Sequence, residues 1–479
     1  MTGRPHRPGT GFARLKRRIF AGLLRVAIAS AMLLLSASVE AKVLVLRNAC
    51  AFLGENFEPQ RDCTIEIRDG KIARLNPATI AAGAEVIDAS GKFVLPGFVE
   101  MHAHLLLHPW DKEGNILPQF DRAATERLLK LLLGHGITTV RDPGAPTEAA
   151  IVLRKRVAGG EVIGPRIFTA GRIINASPFN PEPFHPVRNA EEVREEIRYQ
   201  KSVGVDFIKI YGAMPPEPVK VAVEEAHALK LPVMGHLGAT NWKEAAALGV
   251  DGVEHPSAWS WDEIAPSRRD HPNERGLLDR VAWLERLDPK SEAVQAMAKA
   301  LAEHDVTVDP TLIAMHSKFW GNDPRYLKRP QLALMPAVFR EGWPKGSFTA
   351  DWTGADYERA QKAWPKLLAY VKTISEAKVR LTIGTDTPTP WIIPGDSFHE
   401  EMKLLTEAGI SIPEVLKMAT VNGTRTLKIA APDGTIAIGA TADLVVLERN
   451  PLEKIENTRS VSAVIRQGEI FAPATLLTE

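Results

Sequence analysis

The chain has 479 residues, of which 45% are hydrophobic, and a formal net charge of +1. That length accommodates one large barrel-type domain plus a smaller one, and the apolar share fills a sizeable core. Near-neutral charge, with no acidic tail, argues against a nucleic-acid groove.

Arg, Lys and Gly dominate residues 3–18, Val26 to Leu35 forms a short apolar run, and Val39-Glu40-Ala41 offers small residues for cleavage after Ala41. This order predicts a signal peptide over residues 1–41 and a periplasmic or secreted mature chain beginning near Lys42. As a membrane anchor the run is too short, because a span needs about 20 apolar residues and Arg25 interrupts this one, so no stable membrane insertion is expected after cleavage. Arg17-Arg18 before Ile19-Phe20 resembles a twin-arginine signal; paired basic residues are common in any such leader, and the Sec route stays open. The two cysteines, Cys50 and Cys63, follow closely. In an exported protein they are candidates for a disulfide across neighbouring strands, with buried free thiols as the alternative.

Residues 42–93 read as short strands, Lys42 to Leu46, Cys63 to Ile67 and Lys71 to Leu75, with a turn at Asp69-Gly70. The chain end repeats that texture in Ala442 to Leu447 and Val461 to Arg466. A composite β-sandwich is therefore expected from residues 42–93 plus 430–479. Between them, strand-like runs at 94–103, 137–142, 165–170, 205–211, 231–235, 251–254, 306–310 and 380–385 alternate with helical segments such as Ala190 to Val203 and Pro218 to Leu229. Eight such units predict an α/β fold, a (β/α)8 TIM barrel over residues 94–429 with its chemistry at the C-terminal strand ends. Long connections from Pro256 to about Arg280 and from Thr311 to about Trp364 are expected to shape a pocket.

The first barrel run ends in His102-Ala103-His104, and alternation along a strand puts both histidines on one face. Lys209, His236, His255 and Asp386 each lie at or near the end of another run. Four histidines and an aspartate at strand ends of one barrel converge on a metal site. Lys209 could also be an exposed lysine; its inward parity and its carboxylate-poor surroundings favour the site. His108, His135, His185 and His316 lack such placement and read as loop or packing residues. Trp259, Trp261, Trp320, Trp343, Trp352 and Trp391 divide evenly between pocket lining and packing, with Trp391 the best pocket candidate because it follows Asp386.

Pro96-Gly97-Phe98-Val99-Glu100-Met101-His102-Ala103-His104, Gly136 to Asp142, Lys209, His236, His255 and Gly384-Thr385-Asp386 resemble the amidohydrolase superfamily of metal-dependent hydrolases. The likeness covers nearly all of the mature chain and is greatest to the imidazolonepropionase-like and Xaa-Pro-dipeptidase-like branch. Glu100 departs from the usual Asp. The resemblance implies two divalent ions, zinc or a similar metal, one held by His102, His104 and Asp386, the other by His236 and His255. It also implies a carboxylated Lys209 bridging them, since an ammonium cannot bind a cation whereas a carbamate offers two anionic oxygens. Such ions would furnish the hydroxide that attacks a carbonyl.

Asp386 is the expected proton carrier, and Tyr211 a donor to the oxyanion or to a substrate carboxylate, with barrel packing as its alternative. The leading reading is an exported binuclear amidohydrolase that cleaves an amide or peptide C–N bond in a dipeptide or N-acyl amino acid. Two others stay open: a hydrolase of a cyclic amide, lactone or aminated ring, and a catalytically silent binding protein. A one-metal deaminase is disfavoured because Leu237-Gly238-Ala239-Thr240 after His236 lacks an acid. A homo-oligomer is compatible with all of them.

Overall fold

The computed structural model describes residues 1–3, 43–117, 119–177, 182–256 and 276–478. The leader from residue 4 to 41, the expected start at Lys42, and Trp259 and Trp261 lie outside the described residues. Among the described residues no helix is long and apolar enough to cross a membrane.

Both chain ends meet in one eight-stranded sheet. Val43–Leu53 is its splint. One edge pairs antiparallel with Glu58–Arg68; the other pairs in parallel first with Glu85–Asp88 and then with Phe93–Pro96. Register shifts between Leu46 and Ala49 and between Ala49 and Ala51 let this 11-residue strand bend from one partner to the next. From the far end of the chain, Leu444–Leu447 lies antiparallel to Phe93–Pro96 and is followed by Val461–Arg466 and Glu469–Phe471. One long bulged strand, Val43–Leu53, thus joins strands from both chain ends in a single hydrogen-bonded sheet. Its core is apolar, with Leu44, Leu46, Ile65, Ile67, Leu444 and Ile465 buried together. Cys63 sits opposite Ala49, beside Cys50, and both thiols are free.

The first inner run is divided. Phe93–Pro96 belongs to the terminal sheet, whereas Phe98–Glu100 joins Ile137–Asp142 and Arg166–Thr169 in a parallel sheet. Gly97 makes the break possible: a Cβ there would stand 2.2 Å from the Thr138 hydroxyl, while its N–H donates to Asp443 O at 2.8 Å. Ile208–Ile210, Val233–Gly235, Gly252–Glu254 and Thr307–Asp309 run parallel in a second sheet. That sheet continues through Ile173–Asn175 and Phe184–Pro186, a pair absent from the sequence reading. Residues 380–385 form no named strand. Leu381 bridges in parallel to Val308, Thr387 to Ala103, and Met101 N–H donates to Ile383 O at 2.8 Å. Asp206 N–H donates to Thr169 O at 2.9 Å, linking the two sheets on the other side.

Helix Ala190–Val203 has the bounds its sequence predicts, because Asn189 caps its first turn and Gly204 ends it at φ 102°. The connection after Thr307–Asp309 is not an open loop. It folds into helices including Leu312–Phe319 and then Gly354–Glu376, whose capping box pairs Thr353 with Asp356.

Candidate metal centre

Strand alternation turns Glu100, His102 and His104 inward, and the segment ending at Asp386 lies beside them. His102 Nε2 and His104 Nε2 are each 3.5 Å from Asp386 Oδ1. The ligand atoms of this trio all lie within 4.8 Å of one another, and those of His102, Glu254 and His255 do likewise. The rings of His102 and His255 are 4.7 Å apart, and so are those of His255 and His236. All four expected histidines therefore form one chain of imidazoles. Alternation alone would set Glu254 and His255 on opposite faces. Left-handed backbone at His255 (φ 64°) and at Asp386 (φ 64°) turns these side chains, a strain common where function dictates geometry.

Outer contacts decide which nitrogen faces in. His104 Nδ1 lies 3.2 Å from Gly144 O, and a carbonyl only accepts, so Nδ1 carries the proton and Nε2 keeps its lone pair. His102 Nδ1 points at Glu254 Oε2 (3.6 Å) and Asp309 Oδ2 (3.8 Å), and His255 Nδ1 at Thr311 Oγ1 (2.8 Å). Burial, reinforced by neighbouring positive charge, holds His102, His236 and His255 well below the usual imidazole range. Burial pulls His104 down, but the Asp386 carboxylate, Asp142 and the Gly144 carbonyl together outweigh it and leave His104 raised. The neutral imidazoles of His102, His236 and His255 are in the form that a divalent cation requires.

Beneath the histidines lies a layer of buried charge. Lys209 Nζ contacts Glu254 Oε2, and Arg141 donates to Glu254 Oε1 at 2.6 Å. Asp309 stands 3.5 Å from Arg141, and burial pushes its carboxyl up to about 6. The carboxylate-poor surroundings expected for Lys209 are therefore corrected: the charged residues of neighbouring strands, too far apart in sequence to be paired by inspection, face inward together. Burial, then Arg141, holds the Lys209 amine well below its ordinary range. Glu100 Oε1 accepts the N–H groups of His102 and Thr385, both at 2.9 Å, and its Oε2 accepts the Thr385 hydroxyl. The acid that departs from the family pattern thus ties the His102 strand to the Asp386 segment. Gly384 is required there, since a Cβ would stand 2.3 Å from Asp309 Oδ2.

The residues suit a divalent ion. Inward carboxylates at Glu100, Glu254, Asp309 and Asp386 gather with four imidazoles, and both Asp309 oxygens are buried with no hydrogen-bond partner among the described residues. The "Amidohydrolase family" profile matches residues 93–471.

The chain belongs to the amidohydrolase family.

Its curated relatives include ochratoxinase of Aspergillus niger, 23% identical over 503 residues, spanning 92% of this chain and 88% of that protein. Among solved structures it resembles a prolidase complexed with N-methylphosphonate-L-proline at 22% identity, covering 90% of this chain and 100% of that one, with a TM-score of 0.68. A Xaa-Pro dipeptidase with bound methionine is similar at 20% identity, over 90% of this chain and 100% of that one, with a TM-score of 0.66. Metal dependence is general in the amidohydrolase family, and this member is a hydrolase of amide-type C–N bonds.

Around the amidohydrolase site stand residues that sequence reading passed over. Lys318, on helix Leu312–Phe319, places Nζ 3.9 Å from Asp386 Oδ2 and 5.1 Å from the exposed Phe348 ring. Arg280 acts on Tyr211 and His236; burial lowers both cations below their usual ranges. Tyr211 packs its ring 4.5 Å from His236, and burial raises its hydroxyl. Only Glu254 and Asp309 carried a signal, as acids inside apolar strands. The described loop tryptophans pack: Trp320 stacks on His316 at 4.1 Å, Trp352 on Phe319 at 6.3 Å, and Trp343 meets Trp391 edge-on at 5.8 Å. His316 is held at about 3 by burial, as a packing residue would be.

Proposed function

We propose that this chain is an exported binuclear amidohydrolase that cleaves an amide or peptide bond in a small substrate bearing a free carboxylate, a dipeptide or an N-acyl amino acid. The observation that carries this reading is Lys318 3.9 Å from Asp386, joined by Arg280, whose positive charge acts on Tyr211 and His236. A carboxylate on the substrate would be recognised by them through charge-assisted hydrogen bonds.

His102, His104 and Asp386 would hold one ion, His236 and His255 the other, and a carbamate on Lys209 would bridge them. The depressed Lys209 amine supports this, because only a neutral amine takes up CO2. Imidazole and carboxylate donors favour zinc. The chemistry such ions supply is polarisation of a carbonyl and activation of water. Asp386 takes the proton of the attacking water at a carboxylate oxygen and hands it to the leaving nitrogen. Tyr211 donates its hydroxyl to the developing oxyanion.

The hydrogen bonds from Met101 to Ile383, from Asp206 to Thr169 and the bridge from Leu381 to Val308 support a closed eight-stranded (β/α)8 barrel over residues 94–429, with residues 42–93 and 430–479 as the second domain. The charged, apolar and small-residue order of residues 1–41 supports a cleaved leader and an envelope or secreted location; sequencing the N-terminus of the mature protein checks it, and an intact Met1 in the cytoplasm defeats it.

The central test sets metal-replete protein against dipeptides and N-acyl amino acids, each beside its carboxyl-amidated analogue. Cleavage of the free acids with two ions bound is expected. Cleavage of cyclic amides or lactones alone would replace the substrate class. Protein that binds no metal would leave the silent binding protein.

A further inference from the structure

A helix N-terminus exposes N–H groups that the residue preceding it usually satisfies with its own side chain. Helix Leu312–Phe319 breaks that rule. Thr311, a residue well suited to the task, sits at φ 42° and gives the helix no side-chain hydrogen bond. Its hydroxyl instead stands 2.8 Å from His255 Nδ1. The helix is capped from elsewhere: Glu401 Oε1 accepts Leu312 N–H at 2.8 Å, and Oε2 accepts Ile313 N–H at 2.6 Å. Glu401 and Thr311 are both fully buried, so no solvent stands in for either bond.

We propose that Glu401 is a positioning residue of the site: by capping helix Leu312–Phe319 from a distant helix, it releases the Thr311 hydroxyl to orient His255 and fixes the helix that carries Lys318. In treating His255 as a metal ligand, this rests on the proposed function. Without the remote carboxylate, the buried Ile313 N–H at the second helical position would draw the Thr311 side chain back to the cap. At φ 42° the Thr311 hydroxyl is turned to His255 and makes no bond to the helix end, so it serves one of the two demands. Helix Asp396–Glu407 is a firm base for the device: Arg459 donates to Glu400 at 3.1 Å, and Arg329 lies 3.6 Å from Asp396. The arrangement ties the connection after Thr307–Asp309 to the one after Asp386, joining a ligand orienter and a substrate-facing lysine to one buried acid.

A double-mutant cycle with Glu401→Gln and Thr311→Val tests it. Burial raises the Glu401 carboxyl to about 8, so the measurements belong near pH 9, where wild type is ionised and glutamine differs from it. The first readout is the His255 ring nitrogen resonance in metal-free protein carrying 15N-histidine. Glu401→Gln should move it most of the way to its position in Thr311→Val, and the double variant should go no further. The second readout is zinc affinity, expected to weaken about tenfold or more in either single variant and by no more in the double one. A His255 resonance unmoved by Glu401→Gln, or zinc effects that simply add, overturns the proposal. If Glu401→Gln fails to fold, Glu401→Asp, shorter by one methylene but still charged, takes its place in the cycle. A wild type that binds no zinc while the His255 resonance follows the cycle would sink the metal reading and leave the positioning role standing.

Discussion

Two regions of this protein are built from short strands, yet they are held together by opposite means. In the terminal sheet, Leu44, Ile65, Leu444 and Ile465 bury apolar surface, and its ion pairs such as Arg74 with Glu66 keep one partner half exposed. At the C-terminal ends of the inner strands, the same alternation buries His102, Lys209, Glu254 and Asp309. The first region gains stability from burial; the second spends it, since desolvated charges cost more than their pairing returns. Opposite chemistry on the same scaffold separates what folds the chain from what makes it an enzyme.

The sharpest way to break that comparison is at the site. His102→Ala should lose metal and turnover together, because the remaining ligands cannot close the coordination. Asp386→Asn keeps an oxygen toward the metal but takes up no proton, so metal content should hold while kcat falls on the order of a hundredfold or more. Metal stoichiometry measured beside kcat decides it; near-parent turnover with full metal would transfer the proton role to Tyr211 or another residue.

Lys209→Ala should lower metal content, and added short carboxylic acids should restore part of it by occupying the vacated space. Full turnover with two ions bound would discard the carbamate. Glu254, freed of its lysine partner in this variant, stays paired with Arg141, so loss of fold is not the expected cause of metal loss.

Leu444→Ala tests the other region. Its side chain is fully buried in the terminal sheet, and truncation should cost about 2–5 kcal/mol in denaturant titration. KM and metal content should stay at parent values. A comparable loss of metal affinity would mean that the two regions are coupled through Gly97.

Lys318→Met removes a charge and keeps the length of the stem. KM for free-carboxylate substrates should rise about 10- to 100-fold, as expected from a charged hydrogen bond worth about 1.5–3 kcal/mol. Amidated analogues should be unaffected; an equal rise for both would remove Lys318 from carboxylate recognition.

The smallest effect concerns Asp443, whose Oδ1 accepts Gln467 N–H at 2.7 Å. Burial raises its carboxyl from 3.8 to about 6, so the folded state holds the proton more tightly than the unfolded one. Stability contributed by this group is therefore greatest at low pH and declines as pH rises from 3.8 to about 6. Asp443→Asn, which never ionises, should gain relative to wild type across that window in thermal melts. Asp443 is partly exposed, which keeps the gain small.

Much of this was legible along the chain because the signals are local. Alternation in Val461–Arg466, the Asn189 and Gly204 caps of Ala190–Val203, and the His102-Ala103-His104 pair each depend on neighbours a few residues apart. The histidines, Lys209 and Asp386 stand out for the same reason: each lies at or near the end of an apolar run. Packing across the fold determined the rest. The break of the first inner strand at Gly97 depends on Thr138, and the joining of both chain ends in one sheet depends on bulges in Val43–Leu53. Glu254 against Lys209, Lys318 beside Asp386 and Glu401 on helix Leu312–Phe319 join residues that are 45, 68 and 88 or 89 positions apart. A periodicity can say that a residue faces inward. Which charge it meets there is decided by the register of strands and helices that only the assembled fold brings side by side.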